Sequence, residues 1–446
     1  MRAEAASPRY LAARWLLPVS GEPVENACVV IEADRITAVV RLEQCGGAPV
    51  EDFGNSVITP GLFNLHTHFD YTDLRHFATL SPFFDWIDRL VTLSRQWTQA
   101  QFQRSAFRGA SELALSGTTF AADATFSGAA ATALAKVGLR GIVGLELFGI
   151  VEEKAESIWR SWLAKYDEFM STADDTLKEA VASGRLQITV APHTPFTVCP
   201  SLLGMANAWA CQNDRLVLLH VSESDMECQW IASSFEQLDN FLSKTYGESL
   251  ATVRALNWHG QGRTPVEHLE HHGLLIANML AAHTVKLTDS DIALLGKAKL
   301  GTAHCPRSNS RLRNGIAPFS KLTAAGINVG FGTDSAASSD DLDVLSEARF
   351  AWNLHRAADP AFNLSAADAL YHLTLGSAKA VGLDSQLGSL APGKLADLSI
   401  FSLANLPETA AARPCDALIY GGAVPTDVFV GGCQIVASGK LTGLRG

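Results

Sequence analysis

The chain has 446 residues, 47% of them hydrophobic and 18% charged, with a formal net charge of −11. Such a chain is too long and too apolar to be disordered, and the acidic balance, with no basic cluster, argues against nucleic acid or an anionic membrane as a partner. Its eight cysteines are scattered with no C-x-x-C pair, which excludes a cysteine-rich zinc site and reads as reduced thiols of a cytoplasmic protein.

In chain order, residues 10–58 read as β-structure. The β-branched runs 27–31 and 36–40 flank Glu32-Ala-Asp34, and residues 56–59 lead into Pro60-Gly61. Trp15-Leu16-Leu17, followed by Pro18, is too short for the apolar core of a leader peptide, and no run is long enough to span a membrane. From residue 62 the pattern alternates. Strand-like runs at 62–65, 118–122, 141–147, 186–191, 216–219, 279–282, 300–303 and 328–331 are separated by helical stretches such as 102–116 and 201–212. This alternation predicts an α/β fold, a closed (β/α)8 TIM barrel, with a helical insertion around 235–256. Residues 395–401, 427–430 and 434–437 return to β-structure. Neither chain end can bury a sheet alone, so the two are expected to form one small composite β-sandwich. The expected units are 1–58 and 383–446 for that sandwich, and 59–382 for the barrel.

Chemistry-bearing residues fall where the strands end. His66-Thr-His68 sets two imidazoles on one side of a strand, because positions i and i+2 share a face. His220-Val-Ser-Glu223 follows the fifth run, and His283 closes the sixth. Asp334 ends Gly332-Thr-Asp334 after the eighth, and a carboxylate in so apolar a context needs a cation or donors. Imidazoles and a carboxylate converging in this way could hold one divalent ion with an open position, beside a glutamate able to shuttle protons. Taken singly, each residue has a plainer explanation. A strand-end histidine is usually just hydrogen-bonded, and the helix dipole alone favours a glutamate at a helix start. His193, between two prolines, is a candidate substrate contact or a loop histidine. His304-Cys-Pro306 with Ser308 and Asn309 reads equally as loop scaffold or substrate contact. His268, His271 and His272 recur at helical spacing and read as a solvated helix face.

Together the pieces resemble the amidohydrolase superfamily. Pro60-Gly61, His66-x-His68, His220-x-x-Glu223, His283, His304-Cys-Pro-x-Ser-Asn309, Gly332-Thr-Asp334 and Gly393-Lys-Leu-Ala-Asp397 run in order across nearly the whole chain. The resemblance implies the barrel and sandwich, and one metal held by His66, His68, His220 and Asp334. It also implies catalytic roles for Glu223, His283 and Asp334. Two-metal members carry a lysine at the end of the fourth strand; here that strand runs into Ala191-Pro-His193, so a single ion is expected. The donor set suits zinc or ferrous iron, and zinc is the expected occupant. The other zinc deaminase class, built on H-x-E and P-C-x-x-C, is excluded for want of a C-x-x-C pair.

The branch resembled holds cytosine, guanine and S-adenosylhomocysteine deaminases and triazine hydrolases. His68-Phe-Asp-Tyr-Thr72 and Pro82-Phe-Phe-Asp-Trp86 are similar to aminodeoxyfutalosine deaminases, although Phe69 and Asp70 stand where that group has leucine and glutamate. His193 and Trp86 match positions that face the nucleoside, and Ser308 and Asn309 are expected beside them as substrate contacts. The implied activity is deamination of an adenine-type nucleoside with release of ammonia. Attack on a triazine, deamination of guanine, cytosine or a pterin, and a catalytically silent barrel are the alternatives. The implied partners are a small heterocycle and, by family analogy, a second copy of the chain.

Overall fold

The computed structural model describes residues 7–77 and 82–443; residues 1–6 and 444–446 of the two expected end units lie outside that range. The N-terminal strands are β1 (Arg9–Leu16), β2 (Val24–Glu32), β3 (Arg35–Arg41), β4 (Val50–Asp52) and β5 (Ser56–Pro60). Next, β6 (Leu62–Thr67), β7 (Thr118–Thr125), β8 (Arg140–Leu147) and β9 (Leu186–Pro192) form a parallel sheet in chain order. A second parallel sheet follows, made of β10 (Val217–Val221), β11 (Met279–His283), β12 (Gly301–His304) and β13 (Asn328–Phe331). The two sheets touch along both margins. The His220 N–H donates to the His193 carbonyl at 3.0 Å, and the Asp334 N–H to the His66 carbonyl at 2.8 Å.

Strand alternation decides what faces the space between these sheets. On β8, Ile142 packs with Phe63, Leu65, Ala122, Leu218 and Leu280 in an inner apolar plug. Val143 faces the other way, into the layer with Leu134 and Ala110 of the covering helices. Gly144 is inward again: a Cβ there would lie 2.6 Å from that of Ala191, so no larger residue fits. The next inward position on this strand is Glu146.

The chain ends share one nine-stranded sheet. They join where β5 runs parallel to β1 and antiparallel to β14 (Leu398–Ser402), with Ile58 opposite Ile400. Beyond β14 the order continues through β15 (Val424–Val430), β16 (Cys433–Ala437) and β17 (Lys440–Leu441). Leu11, Val29, Ile58, Ile400 and Phe429 bury its apolar side. A buried Arg140–Asp397 pair, with contacts of 2.9 and 3.0 Å, ties this sheet to the start of β8.

The insertion between β10 and β11 is helical, at Asp225–Ser233, Glu236–Tyr246 and Leu250–Arg254. The helix Pro265–His271 follows it. It starts on a capping box in which Thr264 Oγ1 and the Glu267 N–H, and Glu267 Oε2 and the Thr264 N–H, each meet at 3.0 Å. That start turns His268 inward against Trp258, with ring centroids 5.8 Å apart. The expected solvated face therefore does not include His268, which is buried; only His271 and His272 are exposed. Among the described residues no helix is long and apolar enough to cross a membrane, and all eight cysteines are free thiols.

Candidate metal centre and active site

The structure brings His66, His68, His220, His283, Glu223 and Asp334 together at the C-terminal ends of β6, β10, β11 and β13. The ligand atoms of His66, His68 and His220 lie within 4.8 Å of one another, as do those of His66, His283 and Asp334. His68 Nδ1 donates to the Ala124 carbonyl at 2.8 Å, and His220 Nδ1 to the His193 carbonyl at 2.7 Å. In neutral rings, each Nε2 is then left as a bare lone pair, and the two face each other at 3.1 Å. Neither can donate to the other, so this approach suits a shared cation. His66 Nε2 is buried with no hydrogen-bond partner among the described residues. Asp334 Oδ1 sits 3.7 Å from it and 3.6 Å from His68 Nε2. Burial first, and then the neighbouring imidazoles, hold His66 and His220 well below the usual histidine range, which keeps both neutral and ligand-competent.

Backbone strain aims several of these groups. Asp334 (φ 60°), His283 (φ 72°) and Ser222 (φ 53°) all adopt left-handed conformations at strand ends. Asp334 Oδ2 accepts from Ser308 Oγ at 2.6 Å and Ser338 Oγ at 2.8 Å, leaving Oδ1 to face the histidines. Glu227 accepts from the Ser222 and Glu223 N–H groups at 2.9 and 2.8 Å and fixes the turn that presents Glu223. Glu223 accepts from Asn314 Nδ2 at 2.9 Å, and its other oxygen lies 3.8 Å from His283 Nε2. Burial, and then Asp334, push its carboxyl well above the usual range, so it holds a proton readily. His283 Nδ1 donates to Asn309 Oδ1 at 2.9 Å, which orients the ring.

Of these groups, His68, His220, Glu223, His283 and Asp334 line the floor of a cavity of about 460 Å³. Trp86 and His193 line it. His193 Nδ1 is tied to Thr197 Oγ1 at 3.0 Å, and burial pushes its pKa down to about 3. Ser308 and Asn309 are placed differently from expectation. Both are fully buried behind the floor, where they hold Asp334 and His283. His304 also lies away from the cavity, paired with His355 Nε2 at 2.9 Å. Sequence reasoning missed Glu146, Tyr71, Phe148 and Tyr246, which line the cavity wall. Glu146 was findable from strand parity; Asn314 and Ser338 carried no signal.

The pattern of the Amidohydrolase family matches residues 57–435, most of the chain. The chain belongs to the Amidohydrolase family. A relative from Moorella thermoacetica, a 5-methylthioadenosine/S-adenosylhomocysteine deaminase, is 30% identical over 97% of this chain and 93% of its own length. Among solved structures, an adenosine deaminase from Xanthomonas campestris with bound zinc superposes with a TM-score of 0.76 at 25% identity, covering 97% of this chain and 93% of that one. The Helicobacter pylori aminofutalosine deaminase, solved with methylthio-coformycin, shares the fold with a TM-score of 0.78 at 21% identity, over 96% of this chain and 100% of that one. Across the Amidohydrolase match the strand ends carry the polar cluster, while the interior below it stays apolar.

Proposed function

We propose that this amidohydrolase is a metal-dependent aminohydrolase that deaminates an adenine-type nucleoside and releases ammonia. The observation that carries this reading is the pair of imidazole lone pairs facing each other at 3.1 Å, beside a protonatable Glu223 and beneath a cavity large enough for a nucleoside. Deaminase relatives of nearly equal length support the substrate class.

In this reading His66, His68, His220 and Asp334 hold one divalent ion, zinc rather than ferrous iron. When bound, such an ion lowers the pKa of water to about 7 and so supplies hydroxide at neutral pH. Asp334 accepts the proton released by the attacking water. Glu223, kept protonated by burial, delivers a proton to the ring nitrogen next to the amino-bearing carbon, then carries another to the departing ammonia. His283, fixed by Asn309, steadies charge building on the oxygen. His193 and Trp86 position the base. We further read the two parallel sheets as one closed (β/α)8 barrel spanning 59–382, the end sheet as a folded-over sandwich, and the enzyme as a cytoplasmic homodimer.

The test is ammonia release from adenosine, 5′-deoxyadenosine, 5′-methylthioadenosine, S-adenosylhomocysteine, guanine, cytosine and a chlorotriazine. Ammonia from at least one adenine nucleoside is expected. Chloride from the triazine with no nucleoside turnover would move the chemistry to dehalogenation.

A further inference from the structure

Cys28 and Cys45 line no part of the cavity, yet the end sheet brings them together. Cys28 sits in the middle of β2, opposite Ala12 of β1 and Val40 of β3. Strand alternation turns these three residues away from the side of the sheet that buries Leu11, Val29 and Ile31. The chain leaves β3, makes one 3-10 turn at Leu42–Gln44 and folds back over that outer face. Gln44 Oε1 accepts from the Arg41 N–H at 2.9 Å, and the Cys45 N–H donates to the Leu42 carbonyl at 3.2 Å. The turn sets Cys45 on Cys28, with the two Sγ atoms 3.0 Å apart. Tyr10, Ala12, Val40 and Val50 enclose the pair. Among the described residues no other two cysteines make contact.

A single buried thiol packs as a small apolar side chain and needs no further account. Two in contact are different. Bonded sulfurs lie at about 2.0 Å, so this pair has only about 1 Å to close. Gly46 and Gly47 follow at φ 60° and 81°, and nothing crowds the Cβ position of either. They leave the segment beyond Cys45 free to give by that amount. We infer that Cys28 and Cys45 are a redox-modification site: a dithiol that closes to a disulfide on meeting a low-molecular-weight disulfide, stapling residues 42–49 to the end sheet.

Cys28 is fully buried, whereas Cys45 keeps 8% exposure beneath its turn. Burial, and then the Cys45 side chain, push the Cys28 thiol up to about 12. Cys45 is therefore the first to react. Its thiolate attacks one sulfur of the small disulfide, displaces one small thiolate and leaves a mixed disulfide. Cys28 then attacks Cys45 Sγ, and its proton goes to the second small thiolate as that group departs. Two protein thiols and one small disulfide become one protein disulfide and two small thiols. The bond joins residues 17 apart in sequence and so restricts mainly the unfolded chain.

The experiment incubates the full chain with oxidised glutathione, alkylates the remaining thiols in denaturant and maps the peptides by mass. A peptide pair joined through Cys28 and Cys45, two hydrogens lighter than the reduced pair, is expected, and dithiothreitol should reverse it. The exposed Cys211 and Cys433 should give only glutathione adducts. The Tm of the linked protein should rise by about 3 °C over the reduced form. Cys28→Ala and Cys45→Ala, treated alike, should show neither the linked peptide nor the oxidant-dependent rise, whatever their Tm when reduced. Full alkylation of both thiols after oxidation, an adduct at Cys45 that goes no further, or a linked protein that melts no higher than the reduced one would each overturn the inference.

Discussion

His68 and His220 point their Nε2 atoms at each other across 3.1 Å, while the Nδ1 of each donates to a main-chain carbonyl. The strands fix both tautomers before any ion arrives. A site preorganised in this way should gain stability on binding. At a hundredfold excess over Kd, a divalent ion adds about 2.7 kcal/mol. Thermal unfolding of chelated protein, with and without added zinc, should show a clear rise in Tm that His220→Ala abolishes.

Glu223 touches the reaction in this account without holding the ion. Glu223→Gln keeps the size and the contact with Asn314, and removes the transferable proton. We expect kcat to fall roughly 100- to 10,000-fold with metal content unchanged. Near-normal turnover in that variant would assign the proton transfers to another group.

Ser308 is expected to act through Asp334. Ser308→Ala removes one of the two hydroxyls on Oδ2 and leaves Ser338 in place. Metal affinity or activity should weaken roughly 10–100-fold, the usual cost of losing a partner that orients a ligand. Titration of the chelated variant with zinc reads this directly. A direct substrate contact would instead raise KM at unchanged metal affinity.

Gly332 bears on His66 through space alone. A Cβ at residue 332 would lie 2.6 Å from the His66 Cβ and 2.9 Å from its main-chain nitrogen. Gly332→Ala should therefore displace His66, reduce bound metal and cost about 1–3 kcal/mol by overpacking. Urea unfolding together with metal analysis checks both effects.

Acid should loosen the fold through a histidine outside the strand-end cluster. His268 is buried, and burial, and then His272, push its pKa down to about 3. An unfolded histidine takes up its proton near pH 6.5. Between those values the unfolded chain binds more protons, so stability falls as the pH drops from about 6.5 towards 3. The slope from this one residue is at most about 1.4 kcal/mol per pH unit. Urea midpoints at pH 7 and pH 5 should differ less in His268→Gln than in wild type.

The polar cluster was legible because its members close or closely follow apolar runs, and strand ends are where two parallel sheets can converge. The predicted run 328–331 coincides with β13, and 186–191 falls one residue short of β9. β7 outran its prediction of 118–122, reaching Thr125, because Asp123 is buried and accepts from Thr67 Oγ1 and the Phe69 N–H. Ser308 and Asn309 were assigned to substrate because a motif carries residue type without depth; only packing shows which hydroxyl faces a ligand and which faces a carboxylate. His268 departs from its expectation for a related reason: helical spacing fixes a shared face, but not what that face meets. Glu146 obeys the alternation rule, but no neighbouring motif marks it.

The most direct test follows bound metal and turnover together. The protein is stripped with chelator and rebuilt with increasing zinc, while ammonia release from an adenine ribonucleoside is read at each step. Activity should be absent at the start and rise linearly, reaching a plateau at about one ion per chain. Full turnover by the stripped protein, or a plateau that needs two ions, would contradict the single-ion centre.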